Sequence, residues 1–120
     1  MTGKLVQNGK RITWTNGGSA VLSGAIVIVA NLICIALGDI GAGETGELGI
    51  GEVYTAPKVS GAVIGQGETV YWDVSAGAFD DNAATPASGD IKNGAVAWKA
   101  AGNGVTTVDV VLLQSGGVVH

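Results

Sequence analysis

The residues of this chain best able to do chemistry are acidic. Asp80-Asp81-Asn82 is followed by Asp90, and Glu44, Glu47 and Glu52 stand close together in a glycine-rich stretch. The first group offers hard oxygen ligands, yet the distal glutamate of a calcium loop is missing, so a solvated turn is the stronger reading. The second could be drawn as an acid and a base, but nothing in the sequence builds a pocket that would raise a carboxyl pKa. These carboxylates fit better as groups that keep a glycine-rich surface soluble. Nucleophilic catalysis needs a base, and the one histidine, His120, is the last residue. Cys34 is the single cysteine and sits in an apolar run, which favours a buried, inert thiol and excludes an internal disulfide. Residues 3–10 contain glycines and a Gly-Lys pair. Their spacing is one residue too long for a phosphate loop, and Arg11 stands where Ser or Thr would hold magnesium. The sequence predicts no catalytic centre, no metal site and no cofactor.

The elements that would position these residues are glycine-punctuated strands. Of 120 residues 21 are glycine, 47% are hydrophobic, 13% charged and only 5% aromatic. One domain fits this length, with a modest core. Glycine loses much backbone freedom on folding, and Val, Ile, Leu and Ala bury less area than aromatics do. The composition therefore predicts an assembly, in which a partner surface supplies burial. Net charge −4 and scattered cations (Lys4, Lys10, Arg11, Lys58, Lys92, Lys99) argue against a nucleic-acid surface. The apolar run 25–30 is too short to span a bilayer, and residues 1–4 begin no export signal. The expectation is a chain made in a cytoplasm, away from membranes.

The firmest strand is 67–73, where Thr69, Val70, Tyr71 and Trp72 follow the turn Gly65-Gln66-Gly67. Alternation separates Thr69 and Tyr71 from Val70 and Trp72, which predicts that either Tyr71 or Trp72 points outward. Residues 10–15 read as a half-exposed strand preceded by an Asn8-Gly9 turn, either a hairpin or an extended arm. Residues 25–30 and 32–37 read as a tight hairpin about Asn31, buried on both faces. Residues 47–55 read as one strand with a slip at Gly51, ended by Ala56-Pro57-Lys58. Residues 75–93 read as a loop, and 94–100 and 105–113 as strands about a Gly102-Asn103-Gly104 turn. No segment has helical periodicity.

Residues 33–50 can be laid on 94–111 without a gap, so that Gly41 and Gly43 fall on Gly102 and Gly104. Two like units predict an all-β fold, either a small closed barrel or a sandwich of two similar halves. The domain reading is a single β domain, with an arm or hairpin over 1–20 and a β core over 21–120. Trp14, Trp72 and Trp98 stand on three different expected strands, and core packing is the default for each.

In its ordered motifs the chain resembles a family of small tailed-phage proteins treated as capsid cement or decoration proteins. The carriers are residues 5–12 (Leu-Val-Gln-Asn-Gly-Lys-Arg-Ile), 23–29, 53–58, 67–73 and 105–113. The family usually shows Gly-Val-Ala after the first hairpin, where this chain has Cys34-Ile35-Ala36. A recombinase label sometimes attached to such proteins finds no support, because the phosphate loop fails. The resemblance implies a β-rich decoration protein on the outer surface of an assembled head. Its implied partners are the major capsid protein and itself, often as homotrimers, with no nucleic acid and no membrane. It would stabilise the head by bridging capsid subunits. Lys4, Leu5, Val6, Gln7, Lys10 and Arg11 are the candidate capsid or neighbour contacts. Trp14, Tyr71, Trp72 and Trp98 are candidates for the core or an oligomer interface. The alternative is a carbohydrate- or host-surface-binding module using an exposed aromatic and the acidic loop at 80–90; a small hydrolase is remote without an internal histidine.

Overall fold

The computed structural model describes residues 10–81, 88–113 and 116–119, and among these the chain forms ten strands and no helix. The first sheet contains Arg11–Thr15 (β1), Ile26–Val29 (β2), Leu32–Ala36 (β3) and Thr45–Gly49 (β4), in the order β1-β4-β3-β2. The second contains Val53–Pro57 (β5), Thr69–Asp73 (β6), Ala78–Asp80 (β7), Ile91–Ala97 (β8) and Thr107–Leu112 (β9). Its order is β5-β9-β8-β6-β7, and a short strand, Val118–Val119 (β10), also pairs with β8. Neighbouring strands are antiparallel throughout. β7 approaches the end of β5 through one isolated bridge, Lys58 to Phe79. The second sheet thus curls around its core and stops short of a closed barrel. Of the two architectures left open by the sequence, the arrangement is the sandwich-like one.

β3 is the wall between two cores. Its alternation places Ile33 and Ile35 on one face and Cys34 and Ala36 on the other, each 6% exposed or less. Ile33 and Ile35 join a cluster with Trp72, Phe79, Ile91, Val110 and Leu112 of the second sheet. Cys34 and Ala36 join a smaller cluster with Val27, Ile40, Leu48 and Ile50 of the first. A hairpin partner buried on both faces must be apolar throughout, which is why residues 25–37 lack the usual polar alternation. Fully burying each such side chain is worth about 1.5–3 kcal/mol. Ala30 turns the hairpin with φ 54°, beside Asn31.

The two sheets are copies of one unit. Ile26 pairs with Ile35 and Val27 with Cys34 in the first; Thr69 pairs with Val96 and Val70 with Ala95 in the second. Arg11 opposite Gly49 and Gly49 opposite Ile35 repeat as Val53 opposite Val111 and Val111 opposite Val96. The bridge Val21–Ile40 repeats as Ile64–Ala101. Four turns recur with it, at 22–25, 41–44, 65–68 and 102–105. Each closes a hydrogen bond from its fourth amide to its first carbonyl, at 3.1, 3.0, 3.2 and 3.2 Å. Each has glycine at its third place with positive φ, namely Gly24, Gly43, Gly67 and Gly104. These are type II turns, whose third residue must enter the left-handed region. The ungapped overlay read from the sequence holds through the turn and then slips by one residue. Leu48, which pairs with Ala36, corresponds to Val110, which pairs with Ala97, rather than to Asp109.

Two expectations are corrected. Residues 47–55 are two strands in different sheets, because Gly51 (φ 73°) turns the chain between β4 and β5. The expected end at Ala56-Pro57-Lys58 stands: Pro57 is the last residue of β5, which lies at the end of its sheet, where a missing amide is tolerated. The stretch read as a loop over 75–93 contains β7, with Phe79 fully buried, and the start of β8 at Ile91; residues 82–87 lie outside the described ones.

Candidate functional site

Lys10 and Arg11 lead into β1. Lys10 is exposed, and its carbonyl accepts a hydrogen bond from the Ile50 amide at 3.0 Å. Arg11 is exposed at the end strand of the first sheet, opposite Gly49. With Leu37, Asp39 and Glu47 it lines a cleft of about 500 Å³ at the sheet's edge. Lys4, Leu5, Val6 and Gln7 lie outside the described residues, as does the expected Asn8-Gly9 turn.

The aromatic candidates separate. Trp14 is half-buried against the first-sheet core. Tyr71 and Trp72 are both buried, contrary to the expectation that one would face outward. Trp72 meets Phe79 edge to face, with ring centroids 5.0 Å apart. Tyr71 occupies the opposite face of β6 and donates from its hydroxyl to Asp90 at 3.3 Å. Burial pushes the Tyr71 phenol above its ordinary range, and the Asp90 carboxylate adds to that. Trp98 departs from the core-packing default. It follows β8 and is 55% exposed, beside a groove of about 370 Å³ shared with Gln66, Gly67, Val96, Ala97 and Val111.

Several acidic residues spend their oxygens on backbone amides. Asp90, itself buried, accepts from the Val74 amide at 2.9 Å, and Asp73 accepts from Ser75 and Ala76 at 3.0 and 3.1 Å. Asp80 has its carboxyl raised, first by burial and then by its hydrogen-bonded neighbour Asp81. Glu44 and Glu68 accept from Gly41 and Gly65 at 2.6 and 3.1 Å, each closing its own type II turn. Among the described residues no three His, Cys, Asp or Glu side chains are grouped to hold a metal. Cys34 is fully buried, and desolvation raises its thiol to about 11. His120 lies outside the described residues.

The other two buried polar groups are structural, and they correspond. Asn16 donates to the Ser19 and Ile40 carbonyls at 2.8 and 3.1 Å, and its own carbonyl oxygen accepts from the Gly18 amide. Lys58 follows β5 as Asn16 follows β1. Its ammonium donates to the carbonyls of Val59, Ser60 and Val105 at 2.7, 3.3 and 2.9 Å. Each side chain pins the loop that closes its unit.

What remains among the described residues is a surface of exposed charges interspersed with apolar side chains such as Leu22, Val63 and Trp98. A family model described as a phage cement protein matches residues 6–112, a span that takes in both copies of the unit and ends with β9. The chain belongs to the phage cement protein family. No curated protein and no solved structure matches it. Membership gives the chain a structural role associated with the phage capsid. In this cement protein the sequence missed the exposed row around Trp98. The signal was present in Val53, Val96 and Val111, which fall on the face opposite Tyr54, Ala97 and Val110, but only strand pairing aligns them.

Proposed function

We propose that this cement protein is a decoration protein, which binds the outer surface of the assembled head and stabilises it by bridging capsid subunits. The family match over residues 6–112 carries this reading. The fold supports it physically: two packed sheets, with no helix among the described residues, leave their outer faces for contact. Among the described residues no buried side-chain nitrogen or oxygen lacks a hydrogen-bond partner. Bridging works through multiplicity, since many modest attachments around a shell act as one tight one. The major capsid protein is the proposed partner, and a homotrimer the proposed form. The protein performs no catalysis in this reading.

The proposed capsid contact is the N-terminal segment, with Lys4, Leu5, Val6 and Gln7 leading into Lys10 and Arg11. Deleting residues 2–9 is expected to abolish binding to purified heads while leaving the thermal melt unchanged; full occupancy by the deletion variant would sink the arm assignment. A second reading, a carbohydrate- or host-surface-binding module, draws on exposed Trp98 beside its groove. Its other proposed element, the acidic loop at 80–90, is weakened because Asp90 is buried and engaged. A glycan array with no hits would remove it.

A further inference from the structure

The repeat makes corresponding surfaces comparable, and one pair differs sharply. In the first sheet a row of directly opposed residues runs Arg11, Gly49, Ile35, Ile26 across four strands. Opposed residues share a face of the sheet. In the second sheet the same row is Val53, Val111, Val96, Thr69. Leu37 follows the first row as Trp98 follows the second; their amides donate to Glu47 and Asp109 of the neighbouring strands.

The middle of the first row, Gly49 and Ile35, is covered by the second copy of the unit, while Arg11 and Leu37 (38%) stay exposed. Gly49 is buried, and a Cβ there would collide with the phenol of Tyr54 from β5. Ile35 is 6% exposed within the cluster that the second sheet builds, and Ile26 packs against it. Ile33, on the same face, meets Gly94 of β8 so closely that a Cβ at Gly94 would lie 2.8 Å from the Ile33 Cδ1. Among the described residues the second row has no such cover, and Val96 and Val111 at its middle are half-buried. Val53 is 41% and Trp98 55% exposed, and Thr69 is exposed at the far end. The charge beside it, Asp109, is held by the Thr55 hydroxyl at 2.6 Å, so the row itself presents only apolar side chains and a hydroxyl. Arg11 in the first row has become Val53 in the second. The exposed copy is the more apolar at that end.

We propose that the Val53–Val111–Val96 row, with Trp98, is the surface on which a second copy of this chain packs. The occupant follows from the repeat: where this face is filled within the chain, a sheet of the same unit fills it. An exposed tryptophan beside aliphatic residues is also the composition of an interface anchor. The inference rests on the proposed homotrimer, to which it gives an interface, and needs no head.

The test uses the full chain. Wild type, Trp98→Glu and Val111→Lys are compared by sedimentation equilibrium, with urea melts to show that each remains folded. Trp98 is largely outside the core, so its variant is expected to fold as wild type does, which keeps the test sound should Val111→Lys fail. The expected result is a wild-type oligomer whose dissociation constant rises by about thirtyfold or more in Trp98→Glu. A wild type that stays monomeric, or an oligomer untouched by Trp98→Glu, overturns the proposal. Binding to purified heads, measured in parallel, separates the two readings. A monomer that decorates heads through Trp98 transfers this face to the capsid and overturns the proposal alone. An oligomer, lost in Trp98→Glu, that ignores heads upholds it and removes the decoration reading.

Discussion

Replacing Lys58 by methionine tests whether one buried ammonium holds the second unit closed. The side chain is 4% exposed, and its three donors go to three backbone carbonyls. Methionine keeps the apolar stem and removes the donors. Two of the carbonyls keep another partner: Val59 accepts from the Ala62 amide at 3.0 Å and Ser60 from the Gly104 amide at 2.7 Å. The loss therefore falls on the Val105 carbonyl. An unsatisfied buried acceptor costs about 1–3 kcal/mol. Against this, the variant no longer buries a charge, a penalty of several kcal/mol that the three carbonyls offset in wild type. The balance gives an expected loss of roughly 1–2 kcal/mol, or a fall in melting temperature of about 4–10 °C for a domain of this size. Urea unfolding followed through tryptophan fluorescence measures it, with an unchanged slope expected because the exposed surface is the same. A variant as stable as wild type would refute the reasoning: the ammonium would then be tolerated there rather than needed.

Four further outcomes are expected. Gly43→Ala and Gly104→Ala should each cost about 1–2 kcal/mol and resemble one another, since both residues have positive φ and open space where a Cβ would go; a large difference in urea midpoints would argue against equivalent turns. Phe79→Ala should cost about 3–5 kcal/mol and alter Trp72 fluorescence, because Phe79 is fully buried against that indole. Cys34 should resist alkylation in the folded protein and react at once in urea; modification at equal rates would contradict its burial. Cys34 and Tyr71 both hold their protons more tightly when folded. Their contribution is complete below the unfolded values, about 8.5 and about 10, and is lost as pH rises through the folded ones. The melting temperature should therefore hold near neutral pH and fall above about pH 9, and Cys34→Ala should flatten the fall between about pH 9 and 11.

Much of the fold was legible because its turns announce themselves. Glycine at the third place of each type II turn fixed where the chain reverses, and β-branched runs such as 26–29 filled the strands between them. The doubling was visible for the same reason, although glycine spacing could not reveal the one-residue slip that sets Leu48 against Val110. Gly51 misled, because Leu48, Ile50 and Val53 continue an alternation across a point where the chain changes sheets. β7 was invisible: three residues with one large apolar side chain carry no period. Tyr71 and Trp72 could both be buried because Trp72 joins the core between the sheets while Tyr71, on the other face of β6, reaches the buried Asp90. Trp98 shows the converse, an aromatic at the end of a good strand that the core never reaches.

Decoration itself is tested most directly by adding purified protein to undecorated heads, imaging them, and heating both preparations. The account expects regular density on the outer surface and heads that survive to a higher temperature. Bare heads, or decorated heads no more resistant than undecorated ones, would contradict it.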